Sequence, residues 1–258
     1  MLLQSTYLNG MCYDIKTSLE AQLIKARRKG DEQAVKEIME KLAPLTDLPI
    51  YHASGFQHPR LLIETGQSLP TIAHWGLIPH WVRNREQASK LWNSTLNARG
   101  ESLHEKPSFR DSLKDKRCLI YVDGFYEHHH NQGKTFPFFI EAKDKHPLCL
   151  GGLWSEWLDQ TTGELINTFT IVTTPANDLL GRIHNNPKMK GPRMPLILDE
   201  EDVEQWLFGS NTEATPLIGP NKKLPLNAYT VERLRGNAYL GNVPEVSEEV
   251  NYPELAAE

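Results

Sequence analysis

The sequence predicts a single mixed α+β domain, and two observations support this prediction. Apolar residues recur at helical spacing between positions 17 and 43, whereas beyond Pro49 they occur in short runs separated by Pro, Gly and Asn. The second pattern is typical of strands with tight connections. Neither an internal repeat nor an interdomain linker is visible. A compact chain of 258 residues buries about 73% of its unfolded surface, so one core forms without a disulfide or a metal.

Two helices are predicted before Pro44 and a third after Asp199. Thr17 and Glu20 have the spacing of a capping box at the start of the first helix, and Asp31 can cap the second. The expected inner faces of the three helices are Leu19, Leu23, Ile24 and Ala26; Ala34, Val35, Ile38, Met39 and Leu42; and Val203, Trp206 and Leu207.

Apolar runs between turn residues predict the strands of the domain. The five clearest runs are Leu61 to Ile63, Cys118 to Val122, Phe136 to Ile140, Leu148 to Leu153, and Phe169 to Thr173. The polar residues 159–163 are predicted to form a hairpin loop, and residues 131–133 a turn. We expect the domain to extend from about residue 12 to residue 235, with an irregular acidic tail over residues 236–258.

The charge balance limits the ways in which this chain can bind nucleic acid. Its 28 basic and 33 acidic residues give a net charge of −5, and all five charged residues after Arg235 are acids. Residues 1–235 therefore carry 28 charges of each sign. This excludes a protein that coats nucleic acid through bulk positive charge, but it allows binding at one local site.

The composition also predicts where the protein resides. No apolar run approaches the ~18 residues of a membrane span, and the first ten residues lack the basic start and apolar stretch of a secretory signal. Three scattered cysteines do not suggest a disulfide framework or a thiolate zinc site. We therefore expect a cytoplasmic protein, without a membrane partner, in a reducing compartment.

Single residues give weak signals of chemistry. Cys118 and Cys149 lie inside apolar runs, where small core residues are more common than nucleophiles. The triplet His128-His129-His130 suggests a metal at first sight. Adjacent residues on a regular strand point to opposite faces and cannot all bind one ion, so we predict neither a metal site nor a cofactor.

An ordered set of motifs is much more specific. The six motifs are Met11-Cys12, Trp75 to Trp81, Asn97 to Glu101, Asp123 to Glu127, Ile183-His184, and Arg193 to Pro195. The series resembles the SRAP family, the SOS response-associated peptidases or abasic site processing proteins. The similarity extends from Cys12 to about Leu198, with a weaker match at residues 241–243.

The resemblance implies an α+β domain around an antiparallel, barrel-like sheet with flanking helices. It implies binding of single-stranded DNA, or of strand junctions, that contain an abasic site. In that family the N-terminal methionine is removed and the exposed cysteine, here Cys12, links covalently to the lesion. A monomeric DNA-repair protein of the SOS response, associated with the nucleoid when bound to DNA, is the corresponding expectation.

The reactivity of such a cysteine follows from its functional groups. The open form of an abasic sugar presents an aldehyde, which an amine converts to an imine. An N-terminal cysteine carries an α-amine with a reference pKa of about 8 and a thiol near ~8.5, so both are partly reactive at neutral pH. Addition of the thiol to the imine carbon closes a five-membered thiazolidine, which only an N-terminal cysteine can form.

Eleven residues precede Cys12 in this sequence, and in that context its nitrogen is an unreactive amide. Two explanations are open. Translation begins at Met11, which is then removed, or residues 1–11 are a leader that the protein cleaves from itself.

Other residues are assigned roles by the needs of the reaction. Glu127, if partly buried, would have a raised pKa and would move protons during ring opening and imine formation. His184 is a second acid–base candidate, and Asn97 a hydrogen-bonding residue near the amine or the sugar. Alternatively, Glu127 is a surface carboxylate at a strand end, His184 is a structural histidine and Asn97 is a turn residue.

DNA contacts are predicted for four residues. Arg99, Lys106 and Arg193 are candidates for phosphate contacts, and Trp81 for stacking on a base beside the lesion. The chain departs from the family at its start, because Tyr13 and Asp14 follow Cys12 where Gly and Arg are usual.

Three functions are therefore compared. The leading hypothesis is a covalent crosslink between Cys12 and an abasic site, which shields the lesion. The second is a thiol peptidase in which Cys12 is the nucleophile and His184 the base, acting on residues 1–11 or more widely. The third is a noncovalent binder of single-stranded DNA that uses Arg99 and Trp81.

Overall fold

A computed structural model describes residues 13–255 of the chain. Within these residues the chain forms twelve strands and seven α-helices. The strands are β1 (Asp14–Thr17), β2 (Ile50–Ser54), β3 (Arg60–Ile63), β4 (Thr71–Trp75), β5 (Asn97–Arg99), β6 (Arg117–Val122), β7 (Gly124–Asn131), β8 (Lys134–Ala142), β9 (Leu148–Asp159), β10 (Glu164–Pro175), β11 (Arg193–Pro195) and β12 (Leu226–Thr230). The helices are α1 (Leu19–Arg28), α2 (Glu32–Glu37), α3 (Arg85–Trp92), α4 (Ser112–Asp115), α5 (Asp178–Ile183), α6 (Val203–Phe208) and α7 (Asn211–Ala214).

Two sheets curl into a half-barrel. The first has the order β12-β8-β7-β1-β2, and the second has the order β3-β4-β10-β9-β6, with β5 and β11 also paired to β10. Ile15 and Phe125 of the first sheet and Trp75 and Phe169 of the second belong to one buried cluster. The single α+β domain with a barrel-like sheet and flanking helices is therefore confirmed, because both sheets enclose the same core.

The pairing is antiparallel except at β10. This long strand pairs in parallel with β4 and with β5, whereas β9 and β11 pair with it antiparallel. All five predicted apolar runs lie within strands, and residues 159–163 join β9 to β10 as a hairpin loop.

The N-terminal helices follow the predicted pattern except at two residues. Met39, predicted on the inner face of the second helix, is 46% exposed, because it lies in the π-helical turn Ile38–Leu42 that follows α2. Asp31 caps α2 by accepting a hydrogen bond from the Ala34 amide, as predicted. Ser18, not Thr17, caps α1. Thr17 is the last residue of β1, and its hydroxyl donates to the Tyr121 carbonyl 3.0 Å away, so sheet pairing rather than helix capping determines its place.

The acidic C-terminal segment is irregular but packed. It contains two short 3₁₀ turns, Pro244–Ser247 and Pro253–Leu255. Val246 is fully buried in a cluster with Tyr126 and Phe139 of the first sheet. Packing on the sheet therefore continues beyond residue 235. No helix in the described residues is long and apolar enough to cross a membrane.

Candidate active site

Glu127 lies at the point where β7 passes the beginning of β1. Asp14, the first residue of β1, is opposite Tyr126 in the antiparallel register, and Glu127 is the next residue of β7. Because side chains alternate along a strand, Glu127 shares the inner face of the sheet with Phe125. Glu127 is 5% exposed, and Oε1 accepts a hydrogen bond from the His128 amide at 2.9 Å.

The burial of Glu127 changes its acidity. Burial raises the pKa of the carboxyl above its ordinary value, and the nearby His184 and the His128 amide oppose the shift only in part. A carboxyl with a raised pKa can hold a proton at a pH where an ordinary glutamate has lost it, which general acid catalysis requires.

His184 is the partner that the fold brings to Glu127. It follows α5 directly, is 2% exposed, and places Nδ1 3.3 Å from Glu127 Oε2. The carbonyl oxygen of Arg193 also lies 2.9 Å from Nδ1, and the Met189 thioether lies 3.2 Å from Nε2. The Arg193 amide also donates to Nδ1 at 3.2 Å, so this nitrogen faces one donor and two oxygen acceptors. The two predicted acid–base residues, 57 positions apart in sequence, form a buried pair.

Asn97 and Arg99 lie on β5, which pairs with β10. Asn97 is 4% exposed and lies beside Ile171 in the parallel register, and Arg99 lies beside Thr173. Thr173 also pairs with Pro195 of β11. One end of β10 therefore brings together the strands that carry Asn97, Arg99 and Arg193.

Arg193 is engaged within the protein. Its guanidinium donates to both carboxylate oxygens of Glu101, at 2.7 and 2.9 Å, and to the Thr173 carbonyl at 2.7 Å. The side chain is 9% exposed. This arrangement ties the 3₁₀ turn after β5 to β11. The phosphate contact that we predicted for Arg193 stays a prediction, and it would require the Glu101 pair to open.

Trp81 and Lys106 lie on the outside of the domain. Trp81 is 38% exposed, and its indole nitrogen donates to the carbonyl of Pro107, the neighbour of Lys106, at 3.4 Å. Lys106 is exposed and has no side-chain partner among residues 13–255. An accessible ring beside a cation is suited to stacking a base next to a phosphate.

Cys12 lies outside the described residues. The described chain begins at Tyr13, whose ring packs 4.9 Å from that of Phe56, and continues directly into β1.

A comparison with known families identifies this arrangement. The model of the SOS response associated peptidase (SRAP) family matches residues 11–238. The chain belongs to the SRAP family. The resemblance that we noted in the sequence is thereby confirmed, and the matched range includes all six motifs that supported it.

Relatives and solved structures agree with this membership. The chain is 34% identical to abasic site processing protein YoqW of Bacillus subtilis over 209 residues, which are 75% of this chain and 88% of YoqW. It is 32% identical to abasic site processing protein HMCES of Gallus gallus over 173 residues, 58% of this chain and 49% of HMCES. A crystal structure of a protein from Bacteroides thetaiotaomicron matches with a TM-score of 0.80 and 33% identity, and covers 93% of this chain and 100% of that one.

Two cysteines and the histidine triplet are the remaining sequence candidates in this SRAP fold. Cys118 and Cys149 are core residues, as predicted, and burial raises the pKa of Cys149 to about 12. In the histidine triplet, burial lowers the pKa of His128 to about 4, whereas His129 contacts the Arg182 carbonyl. Among the described residues, no group of three His, Cys, Asp or Glu side chains is arranged to hold a metal ion.

Sequence reasoning missed four residues near the site. They are Asp14, His52, Met189 and Arg235. Asp14 forms an ion pair with Arg235, 221 positions away, and no local pattern in the sequence signals a pair at that separation. Met189 lies in the segment between His184 and Arg193, and its thioether reaches His184.

Proposed function

We propose that this SRAP protein processes abasic sites in single-stranded DNA by forming a thiazolidine between Cys12, exposed as the N-terminal residue, and the aldehyde of the sugar. The observation that supports the proposal is the buried pair of Glu127 and His184. The pair lies beside the beginning of β1, and Cys12 is two residues before that strand.

The reaction balances without a cofactor. The α-amine of Cys12 adds to the aldehyde carbon, and the resulting carbinolamine loses water to give an imine. The thiol then adds across the C=N bond, its sulfur to carbon and its proton to nitrogen. One C–N and one C–S bond form, one water leaves, and no electrons are transferred to an oxidant or reductant.

Glu127 serves the step in which the hydroxyl leaves. The protonated carboxyl donates a proton to the departing hydroxyl, which leaves as water. The resulting carboxylate then accepts a proton from the iminium nitrogen or from the thiol as its sulfur attacks. Its raised pKa keeps the proton available at a pH where an ordinary glutamate is ionised. His184 contacts Glu127, with Nδ1 3.3 Å from Oε2. The two residues exchange the proton across this contact. Asn97 supplies an amide for the amine or the sugar.

The outer surface retains the DNA strand. Trp81 stacks on a base next to the lesion, and Lys106 and Arg99 contact phosphates. With a neutral domain, such contacts give modest affinity, and the covalent bond makes the complex durable. The names of YoqW and HMCES as abasic site processing proteins support the same substrate.

The test uses the protein that begins at Cys12 and single-stranded DNA with one abasic site. We expect an intact mass equal to protein plus DNA minus one water, and a band that survives heating on a denaturing gel. Cys12→Ser should form no such adduct, because its oxygen closes a less stable ring and its hydroxyl is a weaker nucleophile. Cys149→Ser is the matched control and should react as the parent does.

Two results would contradict the proposal. A heat-stable adduct of Cys12→Ser at the parent level would exclude the thiazolidine. A protein that begins at Cys12 and binds the DNA without ever linking would favour noncovalent binding. The peptidase alternative has a separate signature, because the full chain would lose residues 1–11 while its Cys12→Ala variant retained them.

A further inference from the structure

The C-terminal segment contacts β1 at two points. We call residues 235–247 the clamp segment. Arg235 Nη2 donates to Asp14 Oδ2 at 3.0 Å, and Lys16 Nζ donates to Ser247 Oγ at 2.7 Å. Asp14 and Lys16 both belong to β1. The clamp segment is thus attached to β1, the strand that follows Cys12 in the sequence.

The same segment also covers β2, the edge strand beside β1. Asn242 Oδ1 accepts hydrogen bonds from the Tyr51 and His52 amides, at 2.7 and 3.1 Å, and its Nδ2 donates to the Pro49 carbonyl at 3.1 Å. An edge strand has unpaired backbone groups on its outer side. Asn242 pairs with these groups as a neighbouring strand would, so the clamp segment holds β2 and β1 together.

A chain of hydrogen bonds connects the Asn242 contacts with the Asp14 contacts. The Tyr239 hydroxyl lies 2.6 Å from His52 Nδ1, and His52 Nε2 lies 3.2 Å from Asp14 Oδ1. A carboxylate accepts hydrogen bonds only, so His52 donates to Asp14 from Nε2. Asp14 is 2% exposed. A buried carboxylate is retained only when its oxygens are paired, and here His52 and Arg235 each take one.

These partners keep Asp14 ionised. Burial by itself raises the pKa of its carboxyl, but the His52 hydrogen bond and the Arg235 charge outweigh burial, and the net pKa lies below the ordinary value. The charge of Asp14 also acts on Glu127, which follows Tyr126, the residue of β7 that pairs with Asp14. Asp14 raises the pKa of Glu127, and Arg235 lowers it. The other titratable groups around Glu127 are His184 from α5, His128 on its own strand, and His52 behind Asp14.

We infer that Asp14 is a positioning residue of the reaction site, and that the clamp segment is a working part of that site. Arg235 and Tyr239, the latter through His52, hold Asp14. Asp14 fixes the beginning of β1 and thereby the approach of Cys12 to Glu127. The inference rests on the proposed roles of Cys12 and Glu127. It assigns a role to the clamp segment, whose Arg235 lies 221 positions after Asp14 in the sequence.

The test compares three variants with a matched control. The variants Asp14→Asn, Arg235→Gln and Tyr239→Phe each remove one link and change little volume. Arg233→Gln is the control, because Arg233 is two residues from Arg235 but donates to the Thr135 carbonyl at 3.1 Å. The measurement is the rate of adduct formation as a function of DNA concentration, on variants whose thermal unfolding shows them to be folded.

We expect the three variants to lower the rate at saturating DNA by roughly tenfold or more, since small misplacements of reacting groups have effects of that size. The DNA concentration at half-maximal rate should not change, and Arg233→Gln should match the parent. The pH profile separates positioning from general damage. Asp14→Asn should move the pH at which Glu127 loses its proton downward and Arg235→Gln should move it upward, because Asp14 raises the pKa of Glu127 and Arg235 lowers it.

Several outcomes would overturn the inference. One is a parent-like rate in all three variants. Another is a higher DNA requirement with an unchanged saturated rate in Arg235→Gln, which would make Arg235 a DNA contact. Equal slowing without opposite pH shifts would indicate structural damage alone.

The role of the clamp segment can also be tested without DNA. If the parent itself never links to DNA, the proposed function fails, and amide hydrogen exchange in residues 14–17 decides about the clamp segment. Faster exchange in Arg235→Gln and Tyr239→Phe than in Arg233→Gln would support it. Equal exchange would overturn it.

Discussion

The inner site and the outer surface of this domain differ in their contact with water. Glu127 and His184 are 5% and 2% exposed and contact each other, whereas Trp81 is 38% exposed and adjoins the exposed Lys106. In the inner site, protein groups rather than water surround Glu127 and His184. In the second, the side chains meet water and dissolved ions directly.

This difference separates the chemistry from the binding. Charges in a buried pair are weakly screened by salt, and their protonation is set by neighbouring protein groups. Charges on the surface are screened within about 8 Å at physiological ionic strength. The rate of linkage should therefore follow pH, and the affinity for DNA should follow salt concentration. The predictions below test that separation.

The largest expected effect is that of Glu127→Gln. Glutamine has the same shape but cannot exchange a proton, so the rate of linkage should fall by about 10²- to 10⁴-fold, while the noncovalent affinity for DNA stays unchanged. Single-turnover kinetics at saturating DNA measure the rate. The exposed Glu105→Gln is the control, and parent-like linkage by Glu127→Gln would show that the inner pair performs no proton transfer.

A smaller effect is expected on the outer surface. Trp81→Ala should weaken DNA binding by roughly 5- to 100-fold, which corresponds to the loss of one stacked base, without lowering the rate once DNA is saturating. Phe208→Ala removes another exposed aromatic side chain, 61% exposed on α6, and should bind as the parent does. A rate loss in Trp81→Ala that saturation does not rescue would break the separation between the two regions.

The smallest effect concerns stability. Because burial raises the pKa of Glu127 above its ordinary 4.5, the native state keeps this proton at a pH where the unfolded chain has lost it. The folded state therefore loses stability as pH rises from the ordinary pKa through the native one. Relative to Glu127→Gln, the parent should be more stable at pH 4 than at pH 8. Urea denaturation at both pH values measures the difference, and a constant difference would mean that the pKa of Glu127 is not raised.

The sequence predicted those elements whose signals are local. Asp31 caps α2 because an aspartate before an apolar helical run accepts a hydrogen bond from the chain itself. The apolar run from Cys118 to Val122 forms β6 because buried strands need continuous apolar residues. Thr17 was wrongly placed in a helix cap, since its hydroxyl bonds to Tyr121, a residue 104 positions away. The parallel pairing of β10 with β4 and β5 had no local signal either.

The site follows the same rule. The motifs around Glu127 and His184 identified the residues, and the fold then showed their contact and the burial that raises the pKa of Glu127. Arg193 was predicted to face phosphate, but a carboxylate 92 positions away occupies its guanidinium. The pairing of Asp14 with Arg235 was not foreseeable, because nothing near either residue specifies the other.

The sequence by itself determined the residue types, the order of the motifs and therefore the family. Periodicity and motif order are properties of neighbouring residues, and they are readable without a fold. The tertiary structure alone decided which side chains meet, which of them are removed from water, and how the C-terminal segment returns to β1. Burial and long-range charge pairing exist only once the chain is folded, and they determine the proton affinity of Glu127 and the surroundings of the first residues of β1.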